Sequence, residues 1–151
     1  MIICCATQIV HYRSPDSHSL CTPKILILAE YVFVANQAVD GSTTSHWASE
    51  WSDNQGIQIN LGNVYSVTRV VLNWEAAYGK EYKIQTSLDA TTWVDAAHIT
   101  DGAVEVRTIH VSDKVCRYVR MQGILRGTAY GYSLWEFGVY GTLMPNVAPS
   151  E

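Results

Sequence analysis

From residue 25 onward the chain is a series of short runs in which apolar and polar positions alternate. "GIQINLG" sets Ile57, Ile59 and Leu61 on one face, "VTRVVLNW" does the same for Val70, Leu72 and Trp74, and "EYKIQTS" pairs Tyr82 with Ile84. A period of two is the pattern of strands with one buried face. "KILILAEYVFV" is rich in β-branched and aromatic residues, and "VEVRTIHV", "VCRYVRMQ" and "YSLWEFGVYG" continue the series. Between the runs stand turn signals, "VDGSTTS", "WSDNQG", "NLGNVYS", "SLDATTW" and "ITDG". Helical periodicity of any length is absent. Short strands at regular spacing with Gly, Asn and Asp turns predict an all-β sandwich or barrel.

The predicted domain covers residues 25–142. Residues 1–24, "MIICCATQIVHYRSPDSHSLCTPK", read as a poorly defined tail without the basic and long apolar regions of a secretory signal, and 143–151 as a short C-terminal tail. No repeat or low-complexity stretch interrupts the domain.

Composition narrows the function. Of 151 residues, 48% are hydrophobic and 16% charged, as in a folded globular domain. A net charge of −4 offers no basic face for phosphates, which argues against nucleic acid or an anionic bilayer as the main partner. No window of eighteen apolar residues exists to span a membrane. The four cysteines, Cys4, Cys5, Cys21 and Cys116, have no zinc-ligand spacing. Cys116 lies in the apolar run "KVCRYVRMQ" and reads as a buried free thiol. Five Trp and nine Tyr against two Phe favour rings with a polar edge, suited to a half-wet surface as well as to a β core.

Three stretches, "ANQAVDGSTTSHWASEWSD", "VVLNWEAAYGKEYKIQTSLDATTW" and "RGTAYGYSLWEFGVYG", resemble in order and spacing the discoidin or coagulation-factor type C domains. The similarity covers residues 28 to 141 and is closest to the family 32 carbohydrate-binding modules. It implies an eight-stranded antiparallel jelly-roll β-sandwich that binds sugars on loops at one end. It also implies an extracellular or cell-surface setting, with catalysis left to another domain of the parent polypeptide, or a standalone lectin. The chain departs from the coagulation type in having no Cys near residue 141, and of the family's Ser-rich first-strand approach only Glu30 remains.

The resemblance further implies a structural calcium. In the family, a loop like "QAVDGSTTS" and a Glu in the last strand hold the ion together, and calcium takes six to eight hard oxygens. The matching donors are the Gln37 carbonyl, the Asp40 carboxylate, oxygens of Ser42 and Ser45, the Trp135 carbonyl and the Glu136 carboxylate. The alternative is that Asp40 and Gly41 form a plain turn while Glu136 pairs with an Arg such as Arg117.

Sugar rings stack on aromatic faces while fixed polar groups select among their hydroxyls. The loop residues placed to do so are His46, Glu50 and Trp51, then Glu75 and Tyr78, then Arg126, Tyr130 and Tyr132. Trp51 and Tyr130 are the better platforms, whereas Trp47 and Trp74 fit core positions. In the last stretch, Tyr132, Trp135, Phe137 and Tyr140 are expected to divide between core and surface. Glu30 and Glu50 facing one pocket would favour an amino sugar through a charge-assisted hydrogen bond. That ranks glucosamine-type or β-glucan ligands above galactose, for which His46 and Arg126 are present without a matching Asn. Two other classes are weaker: a glycosidase using Glu50 and Glu75, and a membrane or cell-adhesion domain inserting Trp51 and Tyr130.

Overall fold

A computed structural model describes residues 8–13 and 35–145. Glu30 and the run "KILILAEYVFV", both parts of the predicted site or first strand, lie outside the described residues. The chain forms β1 (Gln8–Arg13), a 3-10 turn (Ala35–Ala38), β2 (Trp47–Ala48), β3 (Gln55–Trp74), β4 (Gly79–Ser87), β5 (Val94–Ile99), β6 (Val106–Arg126) and β7 (Ser133–Leu143). Every pairing is antiparallel. The all-β architecture predicted from the alternation is the one observed.

The hydrogen-bonded order is β2-β7-β3-β6-β4-β5, with β1 joined to the first half of β3. The two longest strands make this one sheet into a sandwich. Residues 56–60 of β3 pair with 118–122 of β6, and residues 65–73 pair with 106–116, with irregular register at 61–64 and near 68. β4 and β5 extend the first stretch, and β7 extends the second. Trp74 in β3 and Tyr82 in β4 belong to strands that do not pair, yet their rings touch edge to face at 5.2 Å. The two arms therefore close on one another around a single apolar core.

The alternation explains which residues fill that core. Ile57, Ile59, Leu61, Val70, Leu72, Trp74, Tyr82 and Ile84 are all buried, as are Trp47 and Cys116. Burial pushes the Cys116 thiol up to about 12, so it behaves as a small apolar side chain. In β7, Phe137 and Val139 face inward while Trp135, Glu136 and Tyr140 are half-buried.

Two expectations from the sequence need correction. "NLGNVYS" is no turn between strands, because β3 runs through it; Gly62 takes a φ of +82° and donates its N–H to Asn60 Oδ1, bending the strand from one arm to the other. Likewise "VEVRTIHV" and "VCRYVRMQ" belong to one strand, β6, which bulges at Ser112 and Asp113, both with φ of 51°. In addition, residues 8–13, inside the segment read as a tail, pair with β3 from Gln8↔Asn60 to Arg13↔Gln55.

Candidate functional site: an aromatic corner over a loop cleft

At the end of the sandwich where β4 begins, three connections converge: residues 49–54 after β2, 75–78 between β3 and β4, and 127–132 between β6 and β7. Backbone bonds join them. Ser49 N–H donates to the Tyr132 carbonyl at 2.8 Å, Glu75 N–H to the Ser133 carbonyl at 3.0 Å, Ser133 N–H to the Ala77 carbonyl at 2.7 Å, and Gly127 N–H to the Tyr78 carbonyl at 2.9 Å. Ser49 Oγ accepts from Tyr132 N–H and donates to the Glu50 carbonyl, both at 2.8 Å. A side chain at Gly131 would overlap Ser49 Oγ and the Glu50 carbonyl oxygen, so glycine is what lets the first and third loops meet.

Their meeting encloses a cleft of about 360 Å³ lined by His46, Trp51, Glu75, Thr128 and Tyr130 with Tyr132 and Ser133 at its floor. Trp51 is 71% exposed and Tyr130 58%; their rings stand 5.3 Å apart at 83°, forming an open corner at the mouth. Large rings left mostly in water offer area for stacking at low conformational cost. Glu50 is exposed on the same loop. His46 packs edge to face on Trp135 at 5.0 Å, which fixes its ring against β7.

Of the predicted ligand residues, then, His46, Trp51, Glu75 and Tyr130 are brought together and Glu50 lies beside them. Tyr78 does not line the cleft: its half-buried ring lies against Gly127, behind the third loop. Arg126 does not line the cleft either. Its N–H and Nε donate to Asp53 Oδ1 at 3.1 and 2.9 Å, and Nη1 donates to the carbonyls of Ala129 and Tyr130 at 3.0 and 3.3 Å. The guanidinium is thus engaged by the protein. Those bonds hold the Asp53 carboxyl below its ordinary value despite partial burial. Asp53, Ser49 and Thr128 were missed from sequence, where "WSDNQG" signals only a turn.

A second cavity, about 370 Å³, lies at the far end of β4, among Ser87, Leu88, Asp89, Thr92, Val94 and Val115. Asp89 there closes its own turn, accepting from Ser87 Oγ and the N–H groups of Thr91 and Thr92. No exposed Trp or Tyr lines it, which leaves the aromatic cleft as the candidate site.

The loop matched to the family's calcium site has the donor chemistry required. Asp40 Oδ1 accepts from Ser42 N–H at 2.8 Å and Oδ2 from Ser45 Oγ at 2.6 Å, while Glu136 Oε1 accepts from Gly41 N–H at 2.6 Å. Gly41 has a φ of +72°, the left-handed turn that folds Asp40 back toward β7. Burial, partly offset by the Gly41 hydrogen bond and reinforced by the negative charge of Asp40, raises the Glu136 carboxyl above its ordinary value. Gln37 Oε1 is buried without a hydrogen-bond partner. Two neighbouring carboxylates fit a hard cation. Arg117 instead donates to Asn60 Oδ1 at 3.3 Å and lies over Tyr118.

Comparison with known proteins identifies the family. A profile of the NedA-like, galactose-binding domain family matches residues 37–121. A labelled variant of chitosan-binding module 1, from a chitosanase/glucanase of Paenibacillus sp. IK-5, is 50% identical over 72% of this chain and 85% of its own, with a TM-score of 0.69. Chitosan-binding module 2 of that enzyme, solved in complex with chitotriose, is 33% identical over 92% of this chain and 99% of its own, with a TM-score of 0.76. The same fold recurs at 23% identity in a family 32 module of a family 31 glycoside hydrolase from Clostridium perfringens, covering 75% of this chain and 85% of its own at a TM-score of 0.63. Nothing among curated proteins matches. Fold, cleft and relatives define a non-catalytic carbohydrate-binding module. The chain belongs to the NedA-like, galactose-binding domain family, within the discoidin or coagulation-factor type C group that includes the family 32 modules.

Proposed function

We propose that this module binds chains of β-linked glucosamine, as in chitosan, and holds a glycoside-active parent enzyme on that polymer outside the cell. The observation that carries the reading is the Trp51–Tyr130 corner at 83° over a cleft whose wall includes Glu75. One sugar face stacks on a ring while an ammonium reaches a carboxylate, a charge-assisted bond that an N-acetyl group cannot form. Relatives 33% to 50% identical that are chitosan-binding modules support this choice over β-glucan or galactose. An anionic bilayer is disfavoured, since Glu50 and Glu75 flank the rings and Arg126 is held by Asp53.

Calorimetric titration with glucosamine, N-acetylglucosamine, β-1,3-glucose and galactosyl oligosaccharides tests the reading. The glucosamine series is expected to bind best, and Glu75→Gln to weaken it about tenfold, the scale of one hydrogen bond to a charged group. Equal binding of the acetylated and free-amine series would overturn the amino-sugar assignment.

We further propose that Asp40 and Glu136, with oxygens of Gln37, Ser42, Ser45 and Trp135, hold a calcium ion. The ion would neutralise the paired carboxylates and fasten the 36–45 loop to β7. At calcium a hundredfold above its Kd, unfolding free energy should rise by about 2.7 kcal/mol. That increment should vanish with chelator and be absent in Glu136→Gln. A melting temperature indifferent to calcium would sink the proposal.

A further inference from the structure

The rings of the corner lie on loop tips that bury little of themselves. Trp51 and Tyr130 are mostly in solvent, and residues 127–131 include two glycines and one alanine. Hydrogen bonds, more than packing, must set the angle between the rings. Tyr130 N–H donates to Thr128 Oγ1 at 3.2 Å, a bond within its own loop. Beyond the Ser49–Tyr132 bonds at the base, Arg126 ties the loops together: its backbone N–H and Nε reach Asp53 of the first loop, and its Nη1 donates to the Ala129 and Tyr130 carbonyls of the third. Asp53 stands two residues after Trp51, and its own carbonyl accepts from Tyr132 Oη at 2.7 Å.

We propose that Arg126 and Asp53 are positioning residues, a clasp that sets Trp51 and Tyr130 at right angles before ligand arrives; the consequence for affinity rests on reading that corner as the sugar platform. Only arginine supplies this geometry, because its planar fork sends Nε toward one partner and Nη1 toward others from a fixed frame, where lysine has a single point of attachment. The pair is partly solvent-exposed, with side-chain exposures of 24% for Arg126 and 44% for Asp53, so it adds little to global stability. Its effect is on order: rings already fixed need not be immobilised on binding.

The test uses Arg126→Gln, Asp53→Ala and Asp53→Asn, the last of which keeps an oxygen acceptor at the same place. Ring-to-ring proton NOEs between Trp51 and Tyr130 are measured without ligand, and titration with chitotriose follows. The clasp predicts that the NOEs weaken in Arg126→Gln and Asp53→Ala but survive in Asp53→Asn. Affinity should fall about tenfold in the first two, as expected when side chains must be ordered on binding, with the melting temperature nearly unchanged. Intact NOEs in Arg126→Gln would overturn the clasp whether or not any sugar binds. Lost affinity with intact NOEs would also overturn it, and make Arg126 a direct ligand contact. If the NOEs respond as expected while the unaltered module ignores glucosamine oligomers, the clasp stands and the chitosan reading fails.

Discussion

Trp51→Ala is expected to bind chitotriose about thirtyfold more weakly than the unaltered module, a loss of about 2 kcal/mol, while unfolding at the same temperature. The two halves of this expectation have one cause. Trp51 is 71% exposed and therefore contributes little to the core, but its ring forms one wall of the corner and meets Tyr130 at 5.3 Å. Removing it leaves a single ring, which can stack on a sugar but cannot fix its orientation. Titration beside a thermal melt separates the effects. A variant that binds normally would show that the corner is not the platform, and a lowered melting temperature would show that the ring is structural.

Tyr132→Ala should have the opposite profile, destabilising the fold by about 4 kcal/mol and lowering the melting temperature by roughly 10 °C or more. Tyr132 is fully buried, its ring lies 6.3 Å from that of Trp74, and its hydroxyl donates to the Asp53 carbonyl at 2.7 Å. Truncation leaves a ring-sized cavity beneath the cleft and frees the loop that carries Trp51. Tyr132→Phe isolates the hydroxyl, and its cost should be about 1 kcal/mol, because the ring stays and one neutral hydrogen bond is lost. Equal melting temperatures for Tyr132→Ala and the unaltered protein would contradict the packing.

Tyr130, the other ring of the corner, and Tyr132 come from the same few positions, "AYGYS", where the pattern of neighbours is nearly the same for both. Each is a Tyr next to Gly131. Only the approach of the third loop to Ser49, with Gly131 allowing the contact, turns Tyr132 inward and leaves Tyr130 outside. The same limit applies to charge. Arg126 and Glu75 are both polar residues near aromatic rings, and both read as ligand contacts. Glu75 lines the cleft, but Arg126 meets a carboxylate 73 positions earlier in the chain. No local pattern encodes a pairing over that distance, so Asp53 carried no signal beyond its turn. Glu136 and Gly41, 95 positions apart, would have been equally silent without the family motif.

What the sequence by itself determined was the strand character of the chain, its inward faces and its family. Alternation with a period of two is a local property, and each core residue from Ile57 to Ile84 announces its side of the sheet within a few neighbours. The tertiary structure decided the rest. It joined the separate runs into two long bent strands and chose between buried and exposed rings in one pentapeptide. It also brought Arg126, read from sequence as a sugar contact, against Asp53 of another loop. Those outcomes depend on which distant backbone segments come into register, and register across a folded sheet is settled by the packing of the whole core.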